Sequence, residues 1–443
     1  MRLKAFRRDQ TRKNDIKTNM IRQCLVLPQR LVAVVMVVYL SDVWWTHTRL
    51  MASGDHYRLA DNITTPMMSQ STPVHLLPAK STQEDDRNDH TIVPPSNADF
   101  PLEPIPRPPL ESIVQGWNIT GDASWLLNVA IIGFPKTGTT TLMKYLHKSR
   151  QVHIFDEERC EMTYNHHARL TESLYRDIPP GRTIRGIKCP RDVESKWARQ
   201  NYQTFFPKTD FMVGLRHPVL WFESFYNFKV DIGRPMKPAE TLTGRCYRQH
   251  QGVCTFRGNF HLFLANLGKT NILSNPAEMA LIPREYHKNV QPIPLQGRIF
   301  LWEVSQLQTD QELLRNNNNH SSVFLQQQYK HSNLQFRQDL QQFLRLDDPL
   351  PEMIKIKPGK QHPNNQIAQR VSANKIDICQ PRYEELREIL MRQSKLAATW
   401  IREYFLDAPG VYVSQKEHFS QVILKRWEQD PCDFRNTTLL LAT

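Results

Sequence analysis

The sequence predicts an α/β domain, a central parallel sheet flanked by helices with an anion-cradling loop after its first strand, preceded by an N-terminal anchor and stem. Three observations carry this. Continuous apolar runs alternate with helix-periodic segments from about residue 124 onward. A glycine- and threonine-rich loop joins the first such run to the first such helix. The chain ahead of them is basic, then apolar, then rich in proline.

The elements follow in order. WLLNVAIIGF (125–134) is apolar throughout and bounded by a turn, so it reads as a buried strand. TTTLMKYLHKS (139–149) reads as the helix after it. RTIRGIK (182–188) and FMVGL (211–215) read as the second and third strands, with a helix over Val219–Phe228. GRIFLWEV (297–304) reads as the fourth strand. LQFRQDLQQFLRL (334–346) and YEELREILMRQSKLAATWIREYF (383–405) have helical periodicity. Trp197, Trp221 and Trp302 read as core residues.

The chain has 443 residues, of which 40% are hydrophobic, enough for a sizeable core. Residues 1–30 form a basic tail. The apolar run Leu31–Leu40, extended to Trp45 across Asp42, is short for a membrane span, which needs roughly 20 apolar residues. The basic flank ahead of it favours a retained anchor over 31–45 with a cytosolic N-terminus. A cleaved signal peptide and a buried core segment are the alternatives. Residues 46–120 have the composition of an extended stem, and 121–443 form the domain.

The formal net charge of +13 points to an anionic partner: a nucleotide, a membrane surface or an acidic glycan. There is no zinc-finger spacing, no aromatic-rich RNA motif and no basic heptad helix, so nucleic acid is not expected. The seven cysteines include no CxxC pair, and no metal site is expected. Cys246 and Cys254 would pair in an oxidising compartment and stay free in a reducing one. Sequons at Asn62, Asn118, Asn319 and Asn436 occur about as often as composition alone would give.

GFPKTGTT (133–140) is the strongest signal. A loop between strand and helix aims backbone N–H groups and the helix's positive end at an anion. Gly138 lets the backbone approach closely, and the hydroxyls of Thr137, Thr139 and Thr140 add donors. The nucleoside-triphosphate loop is GxxxxGK[ST]. Here both glycines have that spacing, but Thr139 occupies the lysine's place and the lysine is Lys136, inside the loop. The cation is therefore displaced from where terminal phosphates and Mg²⁺ would need it.

PKTGTT after a buried strand resembles the 5′-phosphosulfate loop of the sulfotransferases that use PAPS (3′-phosphoadenosine-5′-phosphosulfate), and GLRHPVLWFESFYNF resembles that family's 3′-phosphate element. The resemblance implies that Arg216, at a strand end, and Ser224, eight residues on, hold the 3′-phosphate. IKPGKQHP (356–363) resembles the family's late closing loop, with Lys357, Gly359 and Lys360 at the matching positions. The resemblance spans roughly residues 125–435 and is closest to the Golgi membrane-bound carbohydrate branch, heparan- and chondroitin-like. His217 departs from the family's usual Asp or Asn and reads as a turn residue.

What it implies chemically is transfer of a sulfuryl group from PAPS, which leaves as the bisphosphate PAP, without a required metal. Lys136 would neutralise charge on the bridging oxygen. The resemblance puts a base 22 residues after that lysine, at Glu158, with Glu157 as runner-up and His153 as a further option. Lys188, in GIKCP, matches a lysine beside the base, and Arg191 beyond it is placed to meet an anionic acceptor. The expected protein is a Golgi type II membrane enzyme with its catalytic domain in the lumen, acting on a glycan, with tyrosyl-protein and lipid as alternative acceptors. A nucleotide kinase or NTPase, or an inactive PAP-binding protein, are the competing readings.

Overall fold

The computed structural model describes residues 103–181, 183–247, 252–307, 323–353 and 374–433, with the backbone alone over 323–332. The basic tail, the anchor, most of the stem, Cys24, the closing loop with Lys357, Gly359 and Lys360, and the sequons at Asn62, Asn319 and Asn436 lie outside them. No helix among the described residues is long and apolar enough to cross a membrane.

Six parallel strands form the sheet: β1 (Val129–Gly133), β2 (Val152–Ile154), β3 (Ile184–Lys188), β4 (Asp210–Leu215), β5 (Ile299–Glu303) and β6 (Val411–Val413), in the order β2-β3-β1-β4-β5-β6. The principal helices are α1 (Thr139–Leu146), α2 (His167–Asp177), α3 (Lys196–Phe205), α4 (Pro218–Asp231), α5 (Val323–Leu344) and α6 (Glu384–Trp400). This is the expected α/β architecture. All four strands read from the sequence are present, and they are the central ones. β1 and β4 are buried along their whole length, as parallel strands covered on both faces must be.

Side chains of β1 alternate between two cores. Ala130 and Ile132 join one with α2, α3, α4 and α6, whose residues include Leu174, Tyr202, Trp221 and Leu390. Val129 and Ile131 join the other with α1 and α5, including Leu142, Leu146, Leu340 and Phe343. Trp221 and Trp302 are core residues as expected. Trp197 is not; it stands 60% exposed near the start of α3.

Local chemistry sets the helix starts. Ser195 caps α3 by accepting from the Ala198 N–H at 3.2 Å. α4 opens with Pro218 at its first position behind His217. The last helix ends as a wider turn, Ile401–Phe405, that carries the chain into β6. At the sheet's N-terminal edge, Arg298 clamps Asp210 at 2.6 Å, tying β5 to β4 at the end remote from the cleft.

The region read as stem reaches residue 120, and its last part is folded onto the domain. Arg107 donates to the Tyr175 carbonyl at 2.8 Å, and Glu103 pairs with the buried Arg185. Asn118 is exposed.

Three disulfides join Cys160 to Cys189, Cys246 to Cys254 and Cys379 to Cys432. Cys246 and Cys254 thus pair. The bridge with a sequence separation of 29 restricts the unfolded chain by an amount on the order of 3 kcal/mol.

Gly214 is where the loop after β1 presses on β4. A β-carbon there would lie 2.5 Å from both Thr137 Oγ1 and Trp302 Cζ2. Gly214→Ala is expected to destabilise the domain by about 1–3 kcal/mol in urea unfolding, because neither neighbour has room to yield. A variant as stable as wild type would show that the loop is not packed there.

Candidate active site

The C-terminal ends of β1, β3, β4 and β5 open into one cleft of about 860 Å³. The connection from β1 runs to β2 on one side of it and the connection from β3 crosses to β4 on the other, and open α/β sheets bind ligands outside the strand ends at such a switch point. The lining brings together Lys136, Gly138, Thr139, Thr140, Glu158, Arg216 and Ser224, all singled out from sequence. Lys188 ends β3 and reaches the same place through its side chain.

The loop is built from its backbone outward. Lys136 has φ +69° and Gly138 φ +83°, both left-handed. For a lysine this is a strained conformation, and three bonds hold it. The indole N–H of Trp221 donates to the Pro135 carbonyl at 2.8 Å, and that of Trp302 to the Thr137 carbonyl at 3.2 Å. Thr137 Oγ1 donates to the Phe134 carbonyl at 2.7 Å. Gly138 is required twice over, by its φ and because a β-carbon would stand 2.6 Å from Leu307 Cδ1.

Thr137 therefore faces inward and braces the loop, a correction to its reading as a ligand donor. Thr141, which the sequence reading passed over, lines the cleft with Thr139 and Thr140.

The Lys136 ammonium lies 4.4 Å from the centre of the Phe228 ring. Burial, and then the Arg216 cation, hold its pKa below the usual lysine range, with Asp231 acting the other way. Arg216 follows β4 and reaches the Lys136 carbonyl at 3.4 Å. Ser224 is on α4 and lines the same wall.

On the other side of β1, Lys188 is buried and donates to Thr140 Oγ1 and to Glu158 Oε1, both at 2.9 Å. The start of α1, the end of β3 and the segment after β2 are thus joined through one ammonium. Glu157 is 77% exposed and stands 3.7 Å from Arg159, away from the cleft. Asp156 is paired with His147 at 3.4 Å, and His153 lies on the edge strand β2 outside the lining.

Sequence reasoning missed a second cationic group. Lys229 and Arg257 line the cleft with Arg191. Burial and then Arg257, Arg234 and Arg191 push the Lys229 pKa down, against Glu158. Arg257 pairs with Glu194 at 2.6 Å, and Arg191 bonds the Tyr164 hydroxyl at 2.7 Å. Lys229 shows no motif; its signal is only that α4 returns it to the cleft one turn past Phe225.

Glu303 was also missed. It ends β5 buried, accepting from the Ser305 N–H at 2.7 Å and from that hydroxyl. Burial raises its pKa, with Ser305, Arg216 and the His217 N–H opposing. It thereby holds the β4 end that presents Arg216. Among the described residues, no group of three or more His, Cys, Asp or Glu is placed to hold a metal ion.

No protein-family model and no curated protein matches the chain. Among solved structures, a sulfotransferase from Alicyclobacillus acidocaldarius is similar to it, with 13% identity and a TM-score of 0.30, over 62% of this chain and 98% of that one.

His217 is a buried N-cap as well as a turn residue. Its Nδ1 accepts from the Val219 N–H at 3.2 Å, and its Nε2 lies 3.2 Å from the Gln429 carbonyl, which makes it the neutral, Nε2-protonated form. Burial, chiefly, lowers its pKa to about 4. The unfolded histidine titrates near 6.5, so between these values the unfolded state binds the extra proton. Its contribution is present above pH 6.5 and is lost as pH falls toward 4. His217→Asn keeps a cap acceptor without that proton. Subtracting its unfolding free energy from wild type's, by denaturant titration, should give a difference that shrinks over this pH window; a constant difference would rule out the buried neutral imidazole.

Proposed function

We propose that the chain is a sulfotransferase, moving a sulfuryl group from PAPS to a hydroxyl or amine of a glycan. The observation that carries this is Lys188, hydrogen-bonded at once to a hydroxyl of the anion loop and to a carboxylate across the cleft. It couples a donor-binding element to a candidate base without any triphosphate-type lysine at position 139.

The residues fit a nucleotide with two separate anionic ends. The loop at the start of α1, with Lys136, suits a 5′-phosphosulfate. Arg216 and Ser224 suit a 3′-phosphate, the guanidinium offering a planar fork. Lys357, Gly359 and Lys360 are proposed to complete that grip. Bound PAPS supplies the activated sulfuryl group, and PAP is what remains.

Each side chain then has one task. Lys136 neutralises charge at the bridging oxygen of the departing end. Thr140 already accepts from Lys188, so its own proton is available to a sulfuryl oxygen. Glu158 is held through Oε1, which leaves Oε2 to take the acceptor's proton. Lys188 keeps these two groups at a fixed separation.

The cations Arg191, Lys229 and Arg257 border Glu158 and support an acceptor that carries negative charge. The three disulfides support an oxidising compartment, in keeping with a lumenal Golgi domain behind an N-terminal membrane anchor.

The test is incubation of the full chain with sulfur-labelled PAPS and a panel of neutral and anionic glycans. Label transfer is expected. Lys136→Ala and Arg216→Ala should each lower kcat/KM for PAPS by about 10²-fold or more. Glu158→Gln should lower kcat by about 10²–10⁴-fold with PAP affinity kept. Lys229→Ala should raise the acceptor KM about tenfold and leave the PAPS KM unchanged. Absence of PAP binding by calorimetry, or full activity in either of the first two variants, overturns the reading.

A further inference from the structure

Glu158 stands on a stretch, residues 155–166, that has no helix or strand. No ladder sets its backbone, and its side chain is 54% exposed, so packing does not fix it either. Yet a base must be held to within fractions of an ångström to act. Something covalent does this next door. Cys160, two residues after Glu158, is bonded to Cys189, the residue after Lys188, with the Cα atoms 5.1 Å apart. The Arg159 N–H donates to the Lys188 carbonyl at 3.0 Å. The Cys189 N–H donates to the Ile131 carbonyl of β1, also at 3.0 Å. Two consecutive loop residues are thus fastened to two consecutive residues at the end of β3, and that end is fastened to the central strand.

We propose that the Cys160–Cys189 disulfide is a positioning element of this site: it holds the Glu158 backbone where its carboxylate meets Lys188, and opening it stops transfer while leaving nucleotide binding intact. This rests on the function proposed above. The separation of effects follows from the layout. Lys136 lies in the loop after β1, Arg216 just past β4 and Ser224 on α4, and neither cysteine of the bridge belongs to these segments. The far half of the segment has its own anchors, Thr163 to Asp192 at 2.6 Å and Asn201 to the Met162 carbonyl at 3.0 Å. The Arg159 guanidinium keeps its bond to Ser173 Oγ of α2 at 2.7 Å, so opening the bridge frees the backbone around Glu158 and Cys160 and not the fold. Cys160 is half-buried, within reach of a small dithiol. Such a reductant gives the disulfide two electrons and two protons, yields two thiols and is itself oxidised to a cyclic disulfide.

The experiment compares the full chain with its Cys160→Ala/Cys189→Ala variant and with Cys379→Ala/Cys432→Ala as the control. The measurements are PAP affinity by calorimetry, kcat and KM with labelled PAPS, and hydrogen exchange at the Arg159 amide. The first variant should bind PAP within about twofold of wild type, lose at least about tenfold in kcat, and exchange the Arg159 amide at least about tenfold faster. The control should keep kcat. A kcat within threefold of wild type, an unchanged Arg159 amide, or PAP affinity lost along with kcat would overturn the proposal. Should the first variant not fold, wild type is titrated with dithiothreitol and its free thiols are mapped by alkylation. Activity must then fall in step with the opening of Cys160–Cys189 and return on reoxidation, and any other course overturns the proposal. A wild-type chain that binds no PAP, or transfers nothing to any acceptor, defeats the sulfotransferase reading instead. The amide exchange still decides then whether the bridge places Glu158.

Discussion

The site depends on keeping a lysine in left-handed backbone at the mouth of a parallel sheet. Lys136 at φ +69° costs on the order of 1–3 kcal/mol relative to an ordinary turn. Two indole N–H bonds and one threonine hydroxyl bond oppose it, each worth about 1 kcal/mol net. The sums are of equal size, so the loop is held without a large surplus. That makes its packing decisive. Gly133 and Gly214 allow β1, β4 and the loop to lie in direct contact, since a β-carbon on either would meet Val213, Thr137 or Trp302 closer than 3 Å. Three residues that never face the cleft (Gly214, Trp221 and Trp302) therefore set the direction of the one cation that the proposed chemistry needs most.

Charge follows from this geometry. Arg216 is close enough to Lys136 to disfavour its cation, after burial, and Lys229 suffers the same from three arginines. A folded protein that concentrates repelling cations on one wall gives up stability for binding. An anion placed between them removes the repulsion and adds attraction, which at an effective dielectric of about 20 is worth roughly 4 kcal/mol per pair at 4 Å. Both ammonium groups lie by the Phe228 ring, Lys136 4.4 Å and Lys229 5.9 Å from its centre.

The central sheet was legible because strands buried on both faces are largely apolar, and β1, β3, β4 and β5 each run five or six residues, although β3 includes Arg185. β2 and β6 have three each, too few to show any period, and they lie at the edges. Helices α2 and α3 were missed because polar residues dominate them and their apolar faces are narrow. The loop, Arg216, Ser224 and Glu158 were legible as short motifs at recognisable spacing. Lys229, Arg257, Glu303 and the Cys160–Cys189 pair were not, because what defines them is contact between segments far apart in the chain that only the folded topology brings together. Thr137 failed for the opposite reason. Its sequence context is that of a ligand residue, and its rotamer, spent on the Phe134 carbonyl, is not visible in a string of letters.

Strand order also bears on what kind of transfer the cleft favours. β1 has β4 on one side and β3 on the other. The β4 side carries Arg216, and through α4 Ser224, the pair proposed for a 3′-phosphate; the β3 side carries Lys188 and, through it, Glu158. A triphosphatase would need the lysine at position 139 and an acidic residue free to hold Mg²⁺ at the end of a neighbouring strand. Position 139 is threonine, and the acidic residue that does end a neighbouring strand, Glu303, has its carboxylate engaged by Ser305 and turned toward the Arg216 end of β4. On the proposed function the cleft is instead charged for a leaving group at its centre, gripped from one flank, with Glu158 Oε2 left on the other to meet an acceptor. The proposed in-line displacement needs that opposition of flanks, and it comes from a strand order with β3 on one side of β1 and β4 on the other.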